Sequence, residues 1–478
     1  MRRLRLLSCL PLLGLLPLAL GAVACSSSSG SLSEGPPIDA PPPADAGPTT
    51  TVAGESVPFA HSALERTPAS TVSAADLSAA VTANNAFAVS LYSQFRATSS
   101  GTNLLTSPLS ASIALTMTYA GAQGTTATQM ATALQYGGAQ SSIFAGQNAL
   151  SQALASRAAA AFSADTAASQ GGTPPSASDY ELQVVNSVWG ETGYPWQTPF
   201  LNILGQDYGT GVYQEDFETS YDTARALINT WVSDETNNKI ENLLPEGSLD
   251  NLTRMVLVNA VHLKLPWAYP FSVSETANAP FTTAAGGSVA APFMNQTGTL
   301  PFVDDGDAQI VGLPLSNQQL GVVIALPHGD LATYEAGLTA SSAGLAMPSG
   351  QALVELAVPK VTFTSPTFSL ANALKAMGMP VAFDKTSADF KGICIPTDGQ
   401  NLYISDVLQK AMIAMQETGV EAAAATAVIV DETAGVAGPP PTPIPVIVNR
   451  PYVISIVDVP TGAVLFVGHI VDPTATGS

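Results

Sequence analysis

The chain has 478 residues, 46% of them hydrophobic, which is enough for one large domain with a substantial core. Its formal charge of −21 should repel nucleic acid, heparin-like polyanions and anionic lipid, so we expect none of these as a partner. The three cysteines and four histidines show no spacing typical of a metal site or a catalytic pair, and we expect no metal, cofactor or internal disulfide.

Residues 1–24 are predicted to be a signal peptide. A basic start precedes an apolar run, Leu6–Leu20, that two prolines interrupt, a pattern of secretion rather than of a membrane span. The residues Ala22–Cys25 resemble a bacterial lipobox, which implies lipid attachment to Cys25 and loss of three arginines, bringing the charge to −24. Because Ser26 rather than Asp follows, the resemblance favours an outer-membrane anchor. The alternative is plain secretion after cleavage near Ala24.

Residues 25–73 are rich in Ser, Pro, Ala, Gly and Thr and poor in large apolar side chains. Such a composition cannot bury a core, so we predict a disordered tether that precedes a folded domain over 74–478. A similar stretch over 158–178, which contains GGTPPSAS, is predicted to be an internal loop.

The folded part mixes helical and strand patterns without the regular alternation of a parallel βα fold. Apolar residues at helical spacing predict one amphipathic helix over 224–244, with a break near Asn237 and Asn238 as an alternative. Short apolar, β-branched runs at 320–326, 452–457 and 464–467 predict buried strands. The fold class is therefore α+β, with one domain and a large sheet.

The segment 417–436 reads ETGVEAAAATAVIVDETAGV. Its alanines alone favour a helix or a linker. As a strand, however, it has one face of small or apolar residues, because Val420, Ala422, Ala424 and Thr426 alternate along it. Prolines between 439 and 445 cannot continue a helix and should keep the following chain extended, outside any sheet ladder. The segment is therefore predicted to be strand-competent and to adjoin an exposed loop.

This segment resembles the hinge and reactive-centre loop of serpins, which would occupy about 417–448. The residues that would form the hinge are Glu417, Gly419, Val420, Glu421, Ala422, Ala423, Ala424, Ala425 and Thr426, and all but Val420 match the family. Val420 stands where the family usually has Thr or Ser. Counting from Glu417 as in the family places the cleaved bond between Thr433 and Ala434, within a window from 431 to 436.

Further motifs extend the resemblance over most of the chain. The residues that would form the shutter and breach, where the central sheet opens, are Ser107, Pro108, Ser110, Asn259, Trp267 and Gln409. Gln409 replaces the histidine that is usual in inhibitory members. Asn229, Trp231, Val232, Thr236 and Ile240 fit the helix over the sheet, and LFVGHIVDP near the C-terminus fits the last strand.

The resemblance implies a serpin fold: a large central sheet, further sheets, about eight or nine helices and an exposed reactive-centre loop. It implies a monomeric inhibitor of serine, or else cysteine, proteases that is not an enzyme and inserts its cleaved loop into the sheet. Small apolar residues and acids around Thr433 favour an elastase-like or subtilisin-like target over a trypsin-like one. The alternatives are a non-inhibitory serpin acting as a surface carrier lipoprotein, a secreted hydrolase, for which no GxSxG motif is found, and a structural lipoprotein.

Overall fold

The structure, a computed structural model, describes residues 48–169, 172, 174–396, 399, 401–421 and 441–477. The predicted signal peptide, Cys25, the hinge residues from Ala422 to Thr426, and the bond between Thr433 and Ala434 lie outside these residues. Among the residues it does describe, no helix has both the length and the apolar character needed to cross a bilayer.

Nine α-helices occur in the described residues, in line with the eight or nine expected. They are α1 (Ala74–Arg96), α2 (Pro108–Tyr119), α3 (Gly124–Ala133), α4 (Gln140–Ala155), α5 (Arg157–Ala168), α6 (Thr198–Ile203), α7 (Phe217–Glu235), α8 (Leu331–Ala336) and α9 (Ala371–Ala376).

Nineteen strands accompany these helices in the same residues. They are β1 (Thr49–Val52), β2 (Glu55–Ala60), β3 (Leu104–Thr106), β4 (Glu181–Glu191), β5 (Val212–Glu215), β6 (Met255–Pro266), β7 (Ala277–Thr282), β8 (Ser288–Asp304), β9 (Ala308–Pro314), β10 (Leu320–Pro327), β11 (Gln351–Pro359), β12 (Val361–Thr364), β13 (Phe368–Ser369), β14 (Leu408–Gln409), β15 (Met412–Gln416), β16 (Gly419–Val420), β17 (Ile444–Ile447), β18 (Tyr452–Asp458) and β19 (Ala463–Ile470).

The strands form two mixed sheets. The first sheet has the order β1-β2-β5-β4-β6-β16-β15-β12, with β14 pairing both β6 and β13. The second sheet has the order β17-β11-β8-β9-β10-β18-β19-β3, with β7 on β8. The three predicted strands are confirmed as the buried strands β10, β18 and β19 of the second sheet.

The helices α2 and α7 pack on the first sheet through different apolar clusters. Every residue of α2 is buried, and Pro108 occupies its first turn, where a missing N–H costs nothing. Asp216 caps α7 by accepting a hydrogen bond from the Thr219 N–H. Trp231 of α7 packs edge-on against Trp189 of β4, with ring centroids 5.8 Å apart. The central strands β4 and β6 are therefore covered on both faces.

The predicted disordered tether over 25–73 is wrong in its second half, which the structure describes from residue 48. The strands β1 and β2 form a hairpin whose turn residues Ala53 and Gly54 both have positive φ, and β2 continues the first sheet by pairing with β5. Val52 and Val57 are each only 2% exposed and belong to the apolar cluster beneath α7. These two valines supply the burial that the overall composition did not suggest. Residues 25–47 lie outside the described residues.

Three smaller expectations also need correction. The helix expected over 224–244 begins earlier and ends at Glu235; the alternative of a break near Asn237 and Asn238 is confirmed, because both residues adopt positive φ. About half of the stretch predicted as a loop over 158–178 is helix α5, in which alanine's helix propensity prevails. Pro445 is not outside a ladder: it lies in β17, an edge strand, where its missing N–H costs no sheet hydrogen bond.

Candidate functional site

The two central strands of the first sheet, β6 and the β14–β15 segment, meet only at their ends. At one end β14 pairs in parallel with Val258 and Asn259 of β6. At the other end β16 lies between them, antiparallel to both β6 and β15. Between these points, along residues 260–264 of β6, no described strand pairs with this edge. We call this stretch the gap.

Two residues of the hinge, Gly419 and Val420, already lie between the strands at the end of the gap. Gly419 pairs with Pro266 of β6 and with Gln416 of β15, and Val420 pairs with Leu265 and Met415. Val420 is 2% exposed and belongs to the same apolar cluster as those two neighbours. An apolar β-branched residue therefore suits this position, although the family usually has a hydroxyl residue there.

The hinge also binds the end of the sheet that was predicted to be the breach. The Trp267 indole N–H donates to the Gln416 carbonyl at 2.8 Å, and the Trp267 backbone N–H donates to the Thr418 carbonyl at 3.0 Å. Trp267 itself is 3% exposed. It thus anchors the chain where β15 turns into the hinge.

Glu417, the first hinge residue, is held by two polar partners. Its carboxylate accepts hydrogen bonds from the Lys360 ammonium at 2.8 Å and from the Thr276 hydroxyl at 2.9 Å. Burial raises the pKa of the Glu417 carboxyl, but these bonds and the charge of Lys360 outweigh burial and hold the pKa below its ordinary value. The ionised form of Glu417 therefore stabilises this end of the hinge.

Gln409 lies at the opposite end of the gap, in the predicted shutter. Its amide oxygen accepts from the Ser107 N–H at 3.1 Å, and its amide nitrogen donates to the Ser107 carbonyl at 2.8 Å and lies 3.3 Å from the Asn259 side-chain oxygen. All three residues are at most 2% exposed. The glutamine therefore satisfies buried polar groups on both β6 and the start of α2, which a residue with one fewer donor could not do.

The other predicted shutter residues lie close by. The Ser107 hydroxyl donates to the Leu465 carbonyl of β19 at 3.0 Å, and the Ser110 hydroxyl donates to the Asn186 side chain of β4 at 3.4 Å. Pro108 is buried between them at the start of α2. The structure thus brings together every predicted shutter residue at the end of the gap where β14 pairs with β6.

Sequence reasoning missed the polar residues that meet the second hinge glutamate, Glu421. Its carboxylate lies 2.7 Å from His262 Nε2 on β6 and 3.5 Å from the Lys239 ammonium. The other ring nitrogen of His262 lies 3.2 Å from the Glu181 carboxylate on β4. The available signal was a histidine inside a mostly apolar strand, VLVNAVHLKL, a position that requires a partner.

No other reactive cluster stands out in the described ranges. No group of three or more His, Cys, Asp or Glu side chains is arranged there to hold a metal ion. Cys394 is buried, and buried structural cysteines are inert. The notable chemistry of the described chain is therefore the half-open central sheet and the hinge that enters it.

Known proteins resemble the chain over most of its length. A family model described as serpin (serine protease inhibitor) matches residues 82–473. An uncharacterized serpin-like protein from Thermococcus kodakarensis is 33% identical over 395 residues, which span 82% of this chain and 85% of the relative. Leukocyte elastase inhibitor from Bos taurus is 30% identical over 408 residues, which span 82% and 98%.

Solved structures also resemble the chain over most of its length. The native state of the thermophilic serpin tengpin matches with a TM-score of 0.70 and 25% identity, covering 87% of this chain and 99% of that one. Human thyroxine-binding globulin complexed with its hormone matches with a TM-score of 0.69 and 25% identity, covering 84% and 100%. The architecture is thus shared with almost the whole of both structures.

Proposed function

Since the chain belongs to the serpin family, we propose that it inhibits serine proteases as a suicide substrate, by inserting its cleaved hinge into the gap of the first sheet. The observation that carries this proposal is the position of Gly419 and Val420, which already pair with β6 and β15 at the entrance to the gap. In this mechanism the protease supplies the catalytic groups and the chain supplies the loop that is cleaved, so it would act as an inhibitor and not as an enzyme.

Continuing the observed pairing through the gap gives every inserting residue a neighbour on each side. Ala422 would face Leu263 and Ile413, and Ala424 would face Val261 and Ala411. These four neighbours are at most 5% exposed and belong to the apolar cluster that already contains Val420. Small uncharged side chains fit such a buried face, whereas a charge would not.

In the same register, Thr426 would lie beside the shutter residues after insertion. Its neighbours would be Asn259 on β6 and Gln409 on β14, the two amide side chains that lie 3.3 Å apart. A threonine hydroxyl can both donate to and accept from an amide, so it could join this pair when the strands separate. The hinge sequence is therefore apolar where the gap is apolar and polar where the gap is polar.

The energy available from insertion is sufficient for trapping a protease. Roughly ten to fifteen new backbone hydrogen bonds at about 1 kcal/mol each would contribute on the order of 10 kcal/mol. This is comparable with the stability of an entire domain. A protease that remains acylated to the loop would be carried along and distorted before it could hydrolyse the bond.

The inhibitory function is favoured over the carrier alternative by the hinge. Thyroxine-binding globulin, a structural neighbour, is named for a ligand that it carries, and leukocyte elastase inhibitor, a sequence relative, is named for a protease. The hinge of this chain is uncharged from Ala422 to Thr426, and its residues Gly419 and Val420 are already paired, which fits the inhibitory role. We infer an elastase-like or subtilisin-like target from the residues around Thr433.

The N-terminal sequence suggests where inhibition takes place. A lipid on Cys25 would tether the inhibitor to the outer membrane, on its periplasmic or surface side, after secretion across the inner membrane. Mass spectrometry of the protein purified from the cells that produce it would reveal the lipid, and Cys25→Ser should release the protein into the soluble fraction.

The inhibitory proposal is tested by mixing the intact protein with pancreatic elastase and with subtilisin. We expect a covalent adduct that survives boiling in detergent, with a mass equal to the protease plus the inhibitor less the released C-terminal peptide. The loop-cleaved protein should also melt at a higher temperature than the intact protein. Cleavage without an adduct and without a gain in stability would contradict the proposal and favour a carrier.

A further inference from the structure

The hinge leaves the gap abruptly after its two paired residues. Glu421 donates its backbone N–H to the Ala414 carbonyl of β15 at 2.7 Å, so it still touches the strand. Its φ of +52°, however, is in the left-handed region, which non-glycine residues seldom adopt. Further insertion requires Glu421 to become extended, and whatever holds this conformation therefore restrains insertion.

The side chain of Glu421 is held by one of its two oxygens. Oε2 lies 2.7 Å from His262 Nε2 and 3.5 Å from Lys239 Nζ. The Glu421 and His262 side chains are only 5% and 4% exposed. Oε1 has no hydrogen-bond partner among the described residues. The hold on this carboxylate thus depends chiefly on a single buried contact with the histidine.

Two carboxylates lie beside the His262 ring. The Glu421 carboxylate faces Nε2, and Glu181 Oε2 lies 3.2 Å from Nδ1 while accepting a hydrogen bond from Asn237 at 2.6 Å. Nδ1 has no hydrogen-bond partner among the described residues, so the hydrogen bond of the ring is the one that Nε2 forms with Glu421. The other charged residues on this side of the sheet are Lys239, beside Glu421, and Lys264, which pairs with Asp179 at 2.9 Å.

The position of the Glu421 carboxylate matters for the next inserting residues. In the register set by Gly419 and Val420, the β6 residue that faces Ala423 is His262. The carboxylate now bound to His262 therefore occupies the place that Ala423 must take. Insertion beyond the second residue requires the Glu421–His262 contact to break or to move towards Lys264.

We propose that His262 is a positioning residue that holds the hinge at two inserted residues by binding the Glu421 carboxylate. This proposal rests on the proposed insertion mechanism and names the contact that restrains it. Replacing the ring should therefore weaken the restraint and accelerate insertion.

The pKa of Glu421 fits a carboxylate that is bound in this way. Burial raises the pKa of its carboxyl, but the hydrogen bond and charge of His262, together with Lys239, outweigh burial and leave the pKa below its ordinary value. The carboxylate is consequently ionised at neutral pH and accepts a hydrogen bond from the ring.

The experiment measures insertion in the full-length protein after its loop has been nicked by thermolysin, a metalloprotease that forms no acyl adduct. The gain of resistance to urea is followed in time at neutral pH. His262→Gln, which removes the ring, should insert about tenfold faster than the wild type. His262→Lys, which keeps a hydrogen-bond donor for the carboxylate, should insert as slowly as the wild type.

His328→Gln is the matched control. His328 also pairs with an aspartate, Asp304 at 2.9 Å, but lies at the surface near the second sheet. This variant should behave like the wild type. Equal rates in His262→Gln and wild type would overturn the role of His262 while leaving insertion intact.

A second measurement covers the case in which the nicked wild type gains no resistance at all, which would contradict insertion itself. Hydrogen exchange of the peptide that spans residues 412–421 is then compared in the intact proteins. His262→Gln should increase exchange in that peptide relative to His328→Gln. An unchanged exchange rate would overturn the proposed restraint as well.

Discussion

The side-chain amide of Gln409 forms a two-way hydrogen-bonded pair with the backbone of Ser107, accepting from its N–H at 3.1 Å and donating to its carbonyl at 2.8 Å. This pair links β14 to the start of α2 at the point where the gap closes. Because α2 is entirely buried, water cannot replace either bond. The two bonds therefore fix β14 to α2 at the end of the gap where β14 pairs with β6.

The first prediction concerns this pair. Gln409→Glu keeps the shape of the side chain but turns its donor towards Ser107 into an acceptor and buries a charge. We expect the intact protein to lose about 3 kcal/mol of stability or more in urea unfolding. Gln94→Glu, the same change at an exposed position of α1, should alter stability by less than about 0.5 kcal/mol. Equal effects of the two changes would show that the pair is unimportant.

The second prediction concerns Glu417 and pH. Because the pKa of this carboxyl is lowered in the folded protein, its contribution to stability is present above the unfolded pKa and is lost as the pH falls through the folded value. Glu417→Gln should therefore destabilise the protein by about 1 kcal/mol at neutral pH, since Lys360 is partly exposed.

Urea unfolding of wild type and Glu417→Gln between about pH 7 and pH 3 checks this sign. The difference between the two proteins should shrink as the pH falls. Glu355→Gln, at an exposed position of β11, serves as the control. A difference that grows on acidification would be inconsistent with an ionised Glu417 bound to Lys360.

The third prediction concerns the N-terminal hairpin. Val57 is 2% exposed within the cluster that joins the hairpin to α7 and β4, so Val57→Ala should cost about 2 kcal/mol of unfolding free energy. Val273→Ala, at a valine that is 70% exposed, should cost almost nothing. Thermal melting of both variants is sufficient. Equal, small effects would show that the hairpin adds nothing to the first sheet.

The hairpin also shows what local sequence patterns can and cannot predict. Thr49–Val52 is a β-branched run followed by a two-residue turn, a hairpin signal that the Pro- and Ser-rich surroundings concealed. Alanine-rich stretches were ambiguous for a different reason: α5 is helical, although its composition resembles that of the hinge. Alanine fits either a helix or a buried strand, so tertiary contacts decide between them.

The site was predictable where a motif carried it and not where it depended on distant pairs. The shutter and breach residues were identified by position, and the structure brings the described ones together at the two ends of the gap. The contact between His262 and Glu421 joins residues 159 positions apart. No local period or spacing encodes such a pair, because it depends on how far the hinge enters the sheet.

The fourth prediction tests the insertion register. Ala424→Arg would bury an unpaired charge opposite Val261 and Ala411, which should slow insertion and turn the inhibitor into a substrate. Ala437→Arg is the charge-matched control, because it lies beyond the predicted cleavage site and would not insert. The number of inhibitor molecules cleaved for each protease trapped should rise severalfold only in Ala424→Arg. An unchanged ratio would contradict the register.

The last prediction concerns specificity. Thr433 is small and neutral, and Asp431 and Glu432 precede it, so a trypsin-type pocket built around a carboxylate gains nothing from this loop. Elastase or subtilisin should therefore be trapped faster than trypsin. Mass spectrometry of the released peptide should give a new N-terminus at Ala434.

Cleavage after Glu432 instead would move the bond by one residue and indicate a glutamate-specific protease, whereas cleavage after Val436 would still fit an elastase-like pocket. Thr433→Arg should shift trapping towards trypsin, because arginine supplies the positive charge that the trypsin pocket binds. Thr426→Arg, the same change in the part of the hinge expected to insert, should impair trapping of every protease without that shift. Rapid trapping of trypsin by the wild type, with no gain from Thr433→Arg, would show that this loop does not determine the target.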